Sequence, residues 1–319
     1  MASDQPPAKT TEAGLPSKFW GELSSLHDRQ LTEFGIENFK RHQAFRYFNW
    51  RWEWRRLHRS RQFRFLLAHT TFGGLWCAAT QKNRGCFERN SKIDERGLGR
   101  LYIFATRLLW QYAKSVDSLK LTNLAEPEQG NPVPVCYRGR LISQDLANSA
   151  IEAQSIHRLV GTPPGEILEI GAGYGRTAYV LLNLFPEAAY TIIDIEPALT
   201  ISKWYLSQIF PNRAIEFLTP KQALSERIRA GGFDLAISIS SLQEMTAQQL
   251  NEYLVFIDQA VGAGAVYLKQ REAWTNPVDG VTLRVSDYPI PARWVQIFRQ
   301  QARVQTDFTE AGWRLGRPE

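Results

Sequence analysis

Residues 166–194 read EILEIGAGYGRTAYVLLNLFPEAAYTIID. Ile167, Leu168 and Ile170 form a short apolar run without helical period between Gly165 and Gly171, the pattern of a strand buried on both faces. Gly171, Gly173 and Gly175 follow, and glycines at alternate positions let the backbone take positive φ and approach a ligand where a Cβ would collide. A helix is predicted over Arg176 to Phe185, stopped by Pro186. The next strand, Tyr190 to Ile193, delivers Asp194 nineteen residues after Gly175, a spacing that sets a carboxylate across from the loop, where a ribose diol lies. A plain turn with a capped helix accounts for one glycine, but not for three glycines with two placed carboxylates.

The positions of the glycines select the cofactor. A dinucleotide loop has its third glycine at the sixth position, under the pyrophosphate; here that position is Arg176. Glu169 stands two residues before GxGxG, and the combination resembles the first motif of class I S-adenosylmethionine-dependent methyltransferases rather than a nicotinamide enzyme. Asp194 is expected to accept hydrogen bonds from both ribose hydroxyls and Ile195 to pack on the adenine. The resemblance further implies that Glu169 orients the methionine end and that Thr219 borders the adenine. Gly171, Gly173, Tyr174, Gly175 and Ser240 complete the expected S-adenosyl-L-methionine site.

The strand and helix patterns continue to alternate. Helices are predicted over Pro197 to Phe210, Lys221 to Ala230 and Ala247 to Ala260, and strands over Ala214 to Leu218, Phe233 to Ile239 and Ala263 to Leu268. This is an α/β chain with a doubly wound, mostly parallel sheet, preceded by a helical region. Such sheets bind ligands beyond the carboxyl ends of their strands, which draws attention to Asp194 to Glu196, Thr219 and Pro220, Ser240 to Glu244, and Lys269 onward.

At 319 residues and 44% hydrophobic content, the chain has material for one α/β core and a smaller helical unit. Cys77, Cys86 and Cys136 are too few and too irregularly spaced for a disulfide framework or a zinc site, so they read as small buried apolar residues in a reducing, cytoplasmic setting. The start, MASDQPPAKTTEAGLPS, lacks the basic and apolar regions of a signal peptide, and residues 1–17 are expected to be disordered. The apolar stretch from Phe65 to Thr80 is interrupted by His69, Thr70, Thr71 and Gly73-Gly74, too soon for a membrane span.

Charge is uneven. Residues 1–125 hold 21 Lys and Arg against 11 Asp and Glu, while residues 126–319 hold 17 against 21. Phe39 to Arg64, FKRHQAFRYFNWRWEWRRLHRSRQFR, contains nine basic residues, one acid and eight aromatics. Such a run can follow a nucleic-acid backbone and stack bases, or lie on an anionic membrane or a lipid-linked substrate. Its plainer reading is a helix whose aromatics enter a core while arginine stems cover the rim, and nucleic acid is not the expected partner. Glu126 to Pro134, EPEQGNPVP, is rich in Pro and Gly. The expected organisation is a helical accessory region over 18–125, a linker over 126–138 and a cofactor-binding domain over 139–319.

The segments FGIENFKRHQAFRYFNW (Phe34 to Trp50), GRLISQDLANSAIEAQSI (Gly139 to Ile156), FDLAISISSLQEM (Phe233 to Met245), NPVDG (Asn276 to Gly280) and DYPIPARW (Asp287 to Trp294) join LEIGAGYGR in a wider resemblance. Together they resemble the sugar O-methyltransferases of bacterial polysaccharide and glycosylated natural-product pathways, over about residues 20–315. The resemblance implies a glycan or small-molecule acceptor. Methyl transfer to a hydroxyl is an in-line displacement that needs alignment and a base. Glu244, just past the fourth strand of the sheet, is the first candidate for that base; the alternative is a carboxylate at a helix N-terminus, capped by Ser240 or Ser241. His157, the single histidine outside the N-terminal region, is the second candidate, or else a partly buried helix residue. Asp279 in the NPVDG loop could contact sugar hydroxyls, against its reading as a turn residue. No residues have metal-ligand spacing on one predicted element, so no metal is expected. An RNA methyltransferase gripping substrate with the Arg/Trp run, and a cofactor-binding protein without a usable base, are the competing classes.

Overall fold

The computed structural model describes residues 18–41, 61–81, 98–224, 228, 230–278 and 280–316. The expected disorder of residues 1–17, the body of the arginine and aromatic run over 42–60, Cys86 and Asp279 lie outside the described residues.

Seven strands form the central sheet: β3 (Glu166–Ile170), β4 (Ala189–Ile193), β5 (Ile215–Leu218), β6 (Phe233–Ile239), β7 (Val261–Arg271), β10 (Trp294–Gln301) and β11 (Phe308–Leu315). Their order is β10-β11-β7-β6-β3-β4-β5. The five strands from β3 to β7 are mutually parallel, with β11 antiparallel to β7 and β10 antiparallel to β11. Between the parallel strands run α6 (Arg176–Leu184), α7 (Ala198–Ile209), the short α8 (Pro220–Gln222) and α9 (Ala247–Ala260). Reversal of strand order beside β3 opens a crevice at the carboxyl ends, which is where α/β sheets take ligands.

Because side chains alternate along a strand, each parallel strand faces two cores. Leu168, Ile170, Ala236, Val266 and Leu268 face α9. Ile167, Tyr190, Leu235, Ile237 and Tyr267 face α5 (Gln144–Val160) and α6. α5 begins at Ser143, whose hydroxyl accepts the Leu146 N–H, and ends at Gly161 with φ 73°. It is a support helix laid along the sheet immediately before β3.

The helical region is α1 (Lys18–Phe34), α2 (Arg61–His69), α3 (Phe72–Thr80) and α4 (Leu98–Val116). It shares the α5-face core: Phe39, Leu66, Leu108 and Trp110 belong to the same apolar cluster as Ile156, Leu181 and Tyr190. The stretch expected to be a linker is correspondingly packed. Glu126 is buried against Lys40 and Ser143, Phe39 closes on Gly130, and Val135–Tyr137 (β1) pairs with Arg140–Ile142 (β2). Its Pro and Gly content shapes a buried connection, because the partner for Glu126 comes from 86 residues earlier in the chain. Burial holds the Lys40 ammonium below its usual pKa even beside Glu126. Cys77 is free, whereas Cys136 is buried and disulfide-bonded, which departs from the reading of all three cysteines as plain buried apolar residues. Among the described residues no helix is long and apolar enough to cross a membrane.

Candidate active site

The loop after β3 turns on three positive-φ glycines, Gly171 at 75°, Gly173 at 61° and Gly175 at 91°. On one side it is tied to the end of β4: the Gly173 N–H is donated to Asp194 Oδ2 at 2.8 Å, and Asp194 Oδ1 accepts the Ile195 N–H at 2.8 Å. Each carboxylate oxygen thus spends one backbone donor and keeps lone-pair capacity for a ribose hydroxyl. Burial raises Asp194 to about 7, despite the two N–H groups that favour its ionised form. On the other side the loop meets the turn after β6. A Cβ on Gly171 would lie 2.1 Å from the Ser241 hydroxyl, so glycine is what lets loop and turn touch.

That turn is tightly held. Ser240 takes φ 61° and its N–H reaches the Lys269 carbonyl at 2.8 Å. Gln243 accepts the Arg271 N–H at 2.6 Å and donates to the Ser240 hydroxyl. A 3-10 turn, Leu242–Glu244, follows, and Glu244 on it is buried, at 1% exposure. Its Oε2 accepts the indole N–H of Trp20, from α1, at 2.9 Å. The capping alternative for Glu244 is set aside, because α9 is capped by Thr246 with Gln249 in a reciprocal capping box. α1 also reaches the other end of the crevice, where the Ser24 hydroxyl is donated to the Glu196 carbonyl at 3.0 Å.

A polar stripe beneath the loop was not assigned a role by sequence reading. Gln144, Asp145, Asn148, Ser149 and Glu152 are all buried on α5. Asp145 accepts from the Tyr174 hydroxyl at 3.1 Å, and Arg176 donates to Ser149 at 2.6 Å and to both Glu152 oxygens at 2.8 and 3.2 Å. Lys269, on the same face at the end of β7, adds a third bond to Glu152 at 2.7 Å. These two cations hold Glu152 below the usual carboxylate range against burial. The Asn148 amide N–H₂ and Gln144 Oε1 have no partner. Buried amide atoms without partners, on the helix whose Asp145 holds the Tyr174 hydroxyl of the loop, suit a polar, zwitterionic ligand end. The spacing 144, 145, 148, 149, 152 is the helical stripe that would have revealed this face.

The other expected site residues fall as follows. Glu169 is buried under the loop, accepts from the Tyr190 hydroxyl at 2.7 Å, and is raised by burial to about 7. The Tyr174 ring turns away into the helical core against Phe39 and Tyr205, leaving its backbone in the loop. Thr219 ends β5 beside Asp194, with its hydroxyl and N–H engaged by Gln222 in a capping box. His157 lies twelve residues, roughly 18 Å, along α5 from Asp145, stacked on Phe185 at the far end of α6 and so away from the loop. Among the described residues no group of three or more His, Cys, Asp or Glu could hold a metal.

The sheet order with one reversed strand, the glycine loop and the carboxylate ending β4 together define the class I methyltransferase fold. No protein-family model matches the sequence, and no curated protein matches it. Among solved structures the chain is similar to the PH0226 protein of Pyrococcus horikoshii OT3, at 9% identity and TM-score 0.43 over 54% of this chain and 92% of that one. It is also similar to the 1,6-didemethyltoxoflavin-N1-methyltransferase of Burkholderia thailandensis, at 17% identity and TM-score 0.40 over 53% and 78%. A third is a SAM-dependent methyltransferase from Aquifex aeolicus, at 11% identity and TM-score 0.38 over 53% and 98%.

Proposed function

We propose that the protein is an S-adenosylmethionine-dependent O-methyltransferase acting on a sugar hydroxyl. The observation that carries this is the bracketing of the glycine loop, by Asp194 through Gly173 on one side and by the Ser240–Glu244 turn through Gly171 on the other. A nucleoside held at Asp194 and an acceptor deprotonated at Glu244 then meet across one loop. The cofactor, when bound, supplies an electrophilic methyl on a sulfonium. With it bound, Asp194 would hold the ribose diol, the Asn148 amide would serve the amino-acid end, and Glu244 would take the proton of the acceptor hydroxyl. The sugar acceptor is supported by the family resemblance of the GRLISQDLANSAIEAQSI, SSLQEM and DYPIPARW segments.

Two measurements test this. Calorimetric titration should show binding of S-adenosylmethionine and none of NADH. Glu244→Gln should lower kcat by about 10² to 10⁴ with cofactor affinity within a few fold. Near-normal turnover in that variant would remove Glu244 as the base.

A further inference from the structure

Tyr288 lies in DYPIPARW, between β9 (Thr282–Arg284) and β10. Its ring is 7% exposed and joins the apolar cluster that contains Leu242, on the turn carrying Glu244. The phenolic oxygen is buried and makes no hydrogen bond. A buried hydroxyl without a partner gives up its hydration for nothing, and tyrosines taken into a core ordinarily find one. Burial raises the phenol pKa, and the charge of Glu244 raises it further, which sets the two groups within electrostatic reach of each other. Phe19 and Trp20 of α1 adjoin this region: Trp20 bonds Glu244, and Phe19 meets the Trp274 ring edge-on at 5.4 Å. Neither touch supplies a partner for the Tyr288 hydroxyl.

We propose that the accepting hydroxyl binds between Glu244 and Tyr288, donating its proton to the carboxylate and accepting a hydrogen bond from the phenol. This rests on the reading of Glu244 as the base. The arrangement selects oxygen over nitrogen. An alcohol oxygen has two lone pairs, so one accepts from Tyr288 while the other attacks the methyl carbon. A neutral amine has one pair, and a phenol donor placed there would occupy the pair that must attack. In the step the O–C bond forms as the S–C bond breaks, the bonding electrons remain on sulfur as a neutral thioether, and the acceptor proton passes to Glu244.

The test uses the full chain with labelled S-adenosylmethionine and a mixture of methyl hexopyranosides, plus methyl glucosaminide, which offers both nucleophiles. Tyr288→Phe deletes the hydroxyl alone. It should lower kcat/KM for O-methylation by about 10- to 100-fold, leave cofactor affinity unchanged, and leave the melting temperature equal or higher, since no bond is lost. On methyl glucosaminide the ratio of O- to N-methyl product should fall. Wild-type kcat/KM in Tyr288→Phe, or a marked drop in its melting temperature, overturns the proposal. So does a wild type that binds the cofactor but methylates none of these glycosides. Glu244→Gln separates the two layers: normal turnover there with impaired Tyr288→Phe discards the base and keeps the phenol contact, whereas the reverse pattern discards the phenol contact and keeps the base.

Discussion

Gly173 and Asp194, twenty-one residues apart, are joined by a 2.8 Å hydrogen bond that fixes the carboxylate against the middle of the loop. The carboxyl is raised to about 7 by burial, and a ribose diol donates best to its ionised form. Affinity for S-adenosylmethionine should therefore fall as the pH drops through about 7 and level off by about pH 8. Asp194→Asn should bind more weakly by roughly 1.5 to 3 kcal/mol at high pH and lose most of the pH dependence. Calorimetry from about pH 6 to about pH 8 checks both, and a flat wild-type profile would contradict the ribose role.

Glu169 is also raised to about 7, first by burial, with the Tyr190 hydroxyl opposing. A carboxyl whose folded pKa exceeds its unfolded value adds stability that is complete below about pH 4 and lost as the pH rises through about 7. Glu169→Gln cannot ionise and still accepts from Tyr190. Its melting temperature should exceed that of wild type near pH 8, with the gap closing toward pH 5. Asp194 contributes in the same direction, so some slope should remain in the variant.

Gly171→Ala places a Cβ 2.1 Å from the Ser241 hydroxyl at a φ of 75°. The strain of a left-handed alanine adds about 1 kcal/mol to that clash. Cofactor affinity should fall more than tenfold, and Ser241→Gly in the same chain should restore part of it by removing the opposing side chain. Additive losses in the double variant would show that loop and turn are not in contact.

Glu152→Gln leaves Arg176 and Lys269 inside the protein without their shared anion. Removing one partner of a buried ionic group costs about 3 to 5 kcal/mol, which urea denaturation resolves easily. Lys269→Met added to that variant should recover part of the loss, because it removes one of the two stranded cations.

The parallel half of the sheet was legible because buried strands are continuous apolar runs punctuated by Gly and Pro. Phe233–Ile239 and Ala247–Ala260 match the reading residue for residue. β10 was not legible: WVQIFRQQ faces solvent along much of its length, so its identity as a strand depends on pairing with β11. The positions in the fold of the glycine loop after β3, of Asp194 after β4 and of Glu244 after β6 were readable because each follows directly on a legible strand. The Trp20 contact to Glu244 spans 224 residues, and the isolation of the Tyr288 hydroxyl is a property of packing; neither leaves a periodic trace. His157 satisfied chemistry but not geometry, since a helix that starts at the loop carries its last turns away from it.

Phe39, Leu66, Leu108 and Trp110 share one apolar cluster with the helices that back the sheet. The α/β half is thus not a portable module, even though its topology looks self-contained. A fragment beginning at residue 139 would present the outward sides of α5 and α6 to water as an oily surface, with Arg176 and its neighbours newly hydrated beneath it. Such a fragment would self-associate rather than remain a dispersed small domain, so chimeras in which accessory helices are exchanged must carry this contact surface with them.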